Sequence, residues 1–123
     1  MPETTLPIRT EKPWGYELLF TRTEKYAGKL IFVKKGHRLS LQYHRIKDEA
    51  MFIQQGKILM EIEDAQGNKK TLTIQAGQSI HLPPLTRHRL QALEDTFLFE
   101  VSTPELEDVV RLADDYGRAE QNP

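Results

Sequence analysis

A chain of 123 residues has room for one packed domain, and the absence of cysteine excludes a disulfide framework and thiol chemistry. A formal charge of −1, from 17 basic and 18 acidic residues, excludes a general nucleic-acid binder. The opening segment Met1–Lys12 is polar and no later stretch reaches transmembrane length. Neither a signal peptide nor a membrane partner is therefore expected, and the expected location is cytoplasmic.

In chain order, Trp14, the single tryptophan, reads as core packing in an N-terminal strand. Leu30-Ile31-Phe32-Val33 has the run of apolar residues expected of a buried strand. Ser40, Gln42 and His44 then alternate with Leu39, Leu41 and Tyr43. Ile58, Met60 and Ile62 alternate with Lys57, Leu59, Glu61 and Glu63, and Leu72 and Ile74 with Thr71 and Thr73. This period of two marks half-buried strands. Asp64-Ala65-Gln66-Gly67-Asn68 between the last two reads as a hairpin turn. Phe97, Phe99 and Val101 alternate with Leu98 and Glu100 in a final strand, and Gly36, Gly56 and Gly77 punctuate strand ends. The apolar fraction of 38% against 28% charged suits a thin-walled barrel. Together these signals predict an all-β antiparallel sandwich or barrel over about 12–102.

The segment 103–123 reads differently. Thr103 can N-cap, Pro104 suits the first helical position, and Leu106, Val109, Val110 and Ala113 follow helical spacing, with Gly117 as a stop. A short C-terminal α-helix packed outside the barrel is expected. No linker or internal repeat divides the sequence, so 1–123 reads as a single domain.

Four side chains of metal-ligand type stand out: Gln42, His44, Glu49 and His88. Two imidazoles and two oxygen donors suit Zn, Mn, Fe, Co or Ni better than Mg or Ca. Gln42 and His44 are two apart, so on a strand they share a face. Glu49 follows a polar loop, and His88 arrives from a distant strand. A small barrel can bring all four to one interior point around one divalent ion. His37 and His81 have no such company and read as structural or surface residues.

The register around these residues resembles the cupin family. Gly36, Gln42-x-His44, Glu49 and Gly56 fit its first motif without a gap, and Gly77, Pro83 and His88 fit its second. Leu85 stands where that motif has Gly and Ala92 where it has Asn, two departures at turn and supporting positions. Gln42 in place of the usual first His, within Leu39-Ser40-Leu41-Gln42-Tyr43-His44, is similar to the phosphomannose-isomerase type. Lys12-Pro13-Trp14-Gly15, His88-Arg89-Leu90, Asp108-Val109-Val110-Arg111 and Asp114-Asp115-Tyr116-Gly117-Arg118 extend the likeness. They resemble the C-terminal isomerase domain of the bifunctional mannose-1-phosphate guanylyltransferase/mannose-6-phosphate isomerases, over residues 11 to 118. The family's His and Trp after the Glu are Ala50 and Met51 here.

The resemblance implies a small double-stranded β-helix, the jelly-roll barrel of cupins, holding one metal. It also implies aldose–ketose isomerisation of a sugar phosphate such as mannose 6-phosphate. Guanidinium groups bind phosphate bidentately, which makes Arg38, Arg45, Arg87, Arg89 and Arg118 candidates. The resemblance singles out Lys47, Arg89 and Arg118. Glu100 is either an outward or ion-paired residue or, if it points inward, the general base. Two other readings stand beside the isomerase. One is an Fe- or Mn-dependent dioxygenase, since two His and one carboxylate leave positions open for oxygen. The other is a non-catalytic sugar- or metabolite-binding cupin. Exposed strand edges and outer faces lead to the expectation of a homodimer, with the Trp14 segment and the tail from Thr103 as contributors.

Overall fold

The computed structural model describes residues 2–119. Its strands are β1 (Ile8–Lys12), β2 (Gly15–Arg22), β3 (Ala27–Val33), β4 (Leu41–Tyr43), β5 (Glu49–Gln55), β6 (Lys57–Glu63), β7 (Lys69–Gln75), β8 (Ser79–Leu82), β9 (Arg87–Ala92), β10 (Thr96–Ser102) and β11 (Val110–Ala113). They form two antiparallel sheets. The first has the order β1-β2-β3-β10-β5-β8, and the second β11-β4-β9-β6-β7.

The sheets face each other across the residues that the alternation turns inward. Ile31 and Val33 from β3, Met51 and Ile53 from β5, and Leu98 from β10 come from the first sheet. Ile58 and Met60 from β6, Ile74 from β7 and Leu90 from β9 meet them from the second. All are buried, and Trp14 joins them, as its core reading anticipated. Burying each large aliphatic side chain contributes about 1.5–3 kcal/mol, which sets the register of every strand that carries one.

The connections follow local chemistry. The β6–β7 hairpin closes where Asp64 Oδ1 accepts from the backbone N–H groups of Gln66 and Asn68, as the turn signal predicts. Gly56, with φ +102°, joins β5 to β6 where a Cβ would lie 2.5 Å from Asp95 O and Thr96 Oγ1. Only glycine fits there.

The expected C-terminal helix is not found; no helix occurs among the described residues. Residues 104–109 make tight turns, with Leu106 N–H donating to Pro104 O, Asp108 N–H to Glu105 O and Val109 N–H to Glu107 O. Val110–Ala113 then pairs with β4 as an edge strand, and Val110 is buried. An isolated helix this short is marginal in water, while adjacent β-branched valines favour a pleated surface. Pairing with β4 therefore wins. The strands also reach beyond 12–102 at both ends. Ile8–Lys12 pairs with β2 despite its polarity, because its partner supplies the ladder.

Candidate metal centre and its cavity

His44 follows β4, Glu49 opens β5 and His88 lies on β9. Their ligand atoms lie within 4.8 Å of one another, and all three residues are buried. Glu49 Oε1 is 3.4 Å from His44 Nε2 and 3.2 Å from His88 Nε2. Gln42 on β4 is the direct cross-strand partner of His88, so both side chains project to one face, and Gln42 lines the same cavity.

The outer nitrogen of each imidazole is already used. His44 Nδ1 lies 2.6 Å from Asp108 O, and His88 Nδ1 lies 2.9 Å from Thr86 O. A carbonyl can only accept, so each Nδ1 is the donor there and Nε2 is the nitrogen left to face an ion. This is the arrangement in which metal-bound histidines are held. His44 Nε2, His88 Nε2 and Glu49 Oε1 are buried without any hydrogen-bond partner. A buried polar atom left unpaired costs about 1–3 kcal/mol, and here three such atoms converge. A divalent ion would satisfy all three at once. The donor set fits one.

Lys47 and Glu100 complete the buried cluster. Lys47 Nζ lies 2.9 Å from Glu49 Oε2, an ion pair set off the hydrogen-bonding direction, and 3.4 Å from Glu100 Oε2. Burial pushes the Lys47 ammonium down, but the charges of Glu100 and Glu49 outweigh it and hold it above its ordinary range. Burial pushes Glu49 up. The contacts from His44 and His88 and the Lys47 charge overcome this and hold it well below the usual carboxylate range. Glu100 goes the other way. Burial and then the neighbouring Glu49 charge raise it, against the pull of Lys47 and Lys29.

His44, Lys47, Glu49 and Glu100 of the cluster line a cavity of about 390 Å³, a size that holds a small molecule. Its walls come from β1, β2, β3 and the tail and carry Lys12, Arg22, Lys29, Arg111 and Arg118. Arg22 pairs with Glu107 at 3.0 Å and Lys29 with Glu17 at 3.0 Å. Arg118 is held by Asp114, also at 3.0 Å. Lys12 and Arg111 have no ion-pair partner among the described residues.

The structure therefore distributes the three expected phosphate ligands differently. Arg118 lines the cavity. Lys47 lines it too, engaged by two carboxylates. Arg89 follows His88 by one residue, so the pleat turns it to the outer face of the second sheet. There it donates to Leu39 O at 3.0 Å and meets Asp115 at 3.0 Å, and it does not line the cavity. Arg38 shares Asp115, and Arg45 and Arg87 lie near Tyr43. Lys12, Lys29 and Arg111 are cavity cations that the sequence reading did not select. Lys29 carried a usable signal, because it sits two residues before Ile31 and so shares its inward face.

Two antiparallel sheets closed over a buried His–Glu–His cluster define a barrel of the cupin type. The chain belongs to the mannose-6-phosphate isomerase C-terminal family, whose model matches residues 3–114. It is 31% identical over 121 residues to the alginate biosynthesis protein AlgA of Pseudomonas aeruginosa. That match covers 94% of this chain and 24% of the relative. The chain thus spans about a quarter of that protein's length. Oxalate decarboxylase from Bacillus subtilis superposes with a TM-score of 0.79 at 18% identity, over 91% of this chain and 33% of the other. The capsular polysaccharide assembling protein CapF from Staphylococcus aureus gives 0.72 at 15% identity, over 84% and 30%. These two likenesses concern the fold.

Proposed function

We propose that the protein is a metal-dependent aldose–ketose isomerase acting on a sugar phosphate of the mannose 6-phosphate class. One observation carries the reading: three unpartnered buried ligand atoms converge beside a small cavity that His44 and Glu49 line and whose walls carry several cations. A divalent ion held by His44, Glu49 and His88, with Gln42 beside them, supplies Lewis-acid polarisation of the sugar oxygens.

The chain's own residues do the rest. Lys47 holds Glu49 Oε2, which leaves Oε1 directed at the two imidazoles. Glu100 is the proposed base. Its carboxyl is raised toward neutrality and lines the cavity, where it can carry a proton between adjacent carbons. Arg111 and Lys12, which have no carboxylate partner among the described residues, and Arg118 receive the phosphate. Family membership supports the substrate class.

The test is a metal analysis of purified protein followed by matched titrations of mannose 6-phosphate and mannose. Wild type is expected to form ketose and to prefer the phosphorylated sugar. Losing a charge-assisted phosphate contact removes about 1.5–3 kcal/mol, so Arg111→Ala is expected to weaken only the phosphorylated ligand, by roughly ten- to a hundredfold. Arg89→Ala is expected to leave both affinities unchanged. Oxygen uptake by an iron-loaded protein without ketose formation would replace the isomerase with the dioxygenase. Equal affinity for both sugars would sink the sugar-phosphate assignment.

A further inference from the structure

Two ion pairs place both members in the cavity wall, Arg22–Glu107 and Lys29–Glu17. The first lies open to water, with side chains 41% and 77% exposed, whereas those of the second are only 14% and 16% exposed. Alternation sets the second pair in place. Glu17 on β2 lies across the ladder from Ile31, and Lys29 on β3 lies between Leu19 on one side and Glu100 on the other. Ile31 and Glu100 point inward, so Glu17 and Lys29 do as well. Lys29 Nζ lies 3.0 Å from Glu17 Oε1, and no other side-chain hydrogen bond reaches either group among the described residues. Glu17 Oε2 has no partner and yet is not sealed in the interior, so it opens on the cavity that the residue lines. The Lys29 ammonium has three N–H groups and spends one on Glu17.

Stability alone does not account for such a pair. Apolar residues of similar volume often replace a buried ion pair at no loss, and the next inward positions on the same strands are Leu19 and Ile31. We propose that Glu17 and Lys29 form a hydroxyl-recognition subsite, which takes two adjacent hydroxyls of a sugar whose carbonyl end lies at His44, Glu49 and His88. The proposal rests on the reading of this cavity as a sugar-phosphate site and names what selects the sugar within it. A hydroxyl both donates and accepts, while a carboxylate only accepts and an ammonium only donates. Two neighbouring hydroxyls laid across the pair therefore each find a complementary partner in one arrangement. The pair is neutral as a unit, so it leaves the phosphate to Arg111, Lys12 and Arg118. Its place suits the role. Lys29 and Glu100 are cross-strand partners, on strands about 4.8 Å apart, a distance that a short polyol chain bridges. Leu19 and Ile31 line the wall beside the pair and give the sugar carbons an apolar surface. A site built to hydrogen-bond a hydroxyl rejects the analogue that lacks it, because its own polar groups are then left unpaired.

Calorimetric titration of the protein with divalent ion added tests it, using mannose 6-phosphate, its 3-deoxy and 4-deoxy analogues, and mannose. Wild type is expected to bind at least one deoxy analogue roughly ten- to a hundredfold more weakly than the parent, the loss of a hydrogen bond to a charged group. In Glu17→Leu/Lys29→Met, which removes the pair without stranding a charge, parent and deoxy analogues are expected to bind alike. A purely structural role would weaken all of them and keep their ratio. A ratio retained in the folded double variant overturns the proposal, as does a wild type that binds parent and both analogues equally. If the double variant lacks native circular dichroism, Glu17→Gln decides, since it keeps the shape and removes the charge. The ratio is expected to shrink there, and an unchanged ratio overturns the proposal. A double variant that loses only its preference for mannose 6-phosphate over mannose would make Lys29 a phosphate ligand and overturn it too. Equal wild-type affinity for mannose and mannose 6-phosphate, with the deoxy ratio intact, would remove the phosphate reading and leave the subsite standing. No binding of any of the sugars would remove both.

Discussion

The two ends of the barrel interior are built from the same strands and do opposite work. Along β3 the inward positions run Lys29, Ile31, Val33, and along β5 Glu49, Met51, Ile53. Along β10 they run Glu100, Leu98, Thr96, and along β9 His88, Leu90, Ala92. Each strand changes from ionisable to apolar within three inward residues. At one end lie Ile53, Ile58, Leu90 and Leu98, with almost no exposed surface. At the other end two carboxylates, an ammonium and two imidazoles are buried too. Desolvating those groups is unfavourable unless each finds a partner. The apolar end therefore supplies the stability that lets the polar end hold unpaired ligand atoms.

The strongest way to break this contrast is to remove the cation from the polar end. Lys47→Met leaves Glu49 and Glu100 facing each other without their shared charge. Deleting one partner of a buried ion group typically costs about 3–5 kcal/mol, and a similar loss is expected in urea unfolding with chelator present. At the apolar end Leu98→Ala is expected to lose about 2–5 kcal/mol through its cavity. The two should differ in their response to metal. Added divalent ion is expected to restore part of the Lys47→Met loss, because it too carries positive charge to Glu49, and to leave the Leu98→Ala deficit as it was. Identical metal responses would mean that the two ends are not separable.

The next effect is that of the metal on the intact protein. An ion bound only by the native state stabilises by about 2.7 kcal/mol at a hundredfold excess over Kd. Thermal melts with and without chelator should show this shift. It is expected to vanish in the His44→Ala/His88→Ala double variant, which should still fold, because the apolar end is untouched. Retained stoichiometric metal in that variant would remove these residues as ligands.

Much of this contrast could be read from the sequence. His44, Glu49 and His88 were legible as a set from their donor types and from the cupin register of their spacing, and the structure brings those three together. Glu100 and Lys47 were harder for different reasons. Glu100 has an apolar neighbour on each side, so alternation allowed it to face either way. Lys47 precedes its strand, where no period applies, and its burial follows from how the 44–48 loop folds. Asp108 fixes that loop by accepting from the N–H groups of Arg45, Ile46 and Lys47, across some sixty residues. Its low pKa reflects those donors overcoming the penalty of burial. No local pattern reveals such a contact. Arg89 was legible, since a residue next to an inward His88 must point outward. At 104–113, helical spacing and strand pairing competed, and only the position of β4 decided between them.

The smallest effect is expected at Leu85, in the turn that links β8 to β9. Its φ of +68° is the one positive value at a non-glycine among the described residues, at the position where the cupin motif has Gly. The conformation is fixed from both sides. Leu85 N–H donates to His44 O at 2.7 Å, and Thr86 N–H to Pro83 O at 3.3 Å, while Thr86 O receives His88 Nδ1. An L-residue in this region costs about 1–2 kcal/mol. The side chain recovers little, being 51% exposed. Glycine removes the strain but adds about 0.5–1 kcal/mol of unfolded-state entropy. Leu85→Gly is therefore expected to gain about 0.5 kcal/mol net, seen as a higher urea midpoint at unchanged m-value. Metal affinity should not move, because the hydrogen bonds that orient His44 and His88 are main-chain contacts that glycine keeps. A lower midpoint would mean that Leu85 makes a stabilising contact its exposure does not suggest. A midpoint gain accompanied by weaker metal binding would mean that the strained turn itself sets the angle of the histidines, and the two ends of the barrel would then be coupled through it.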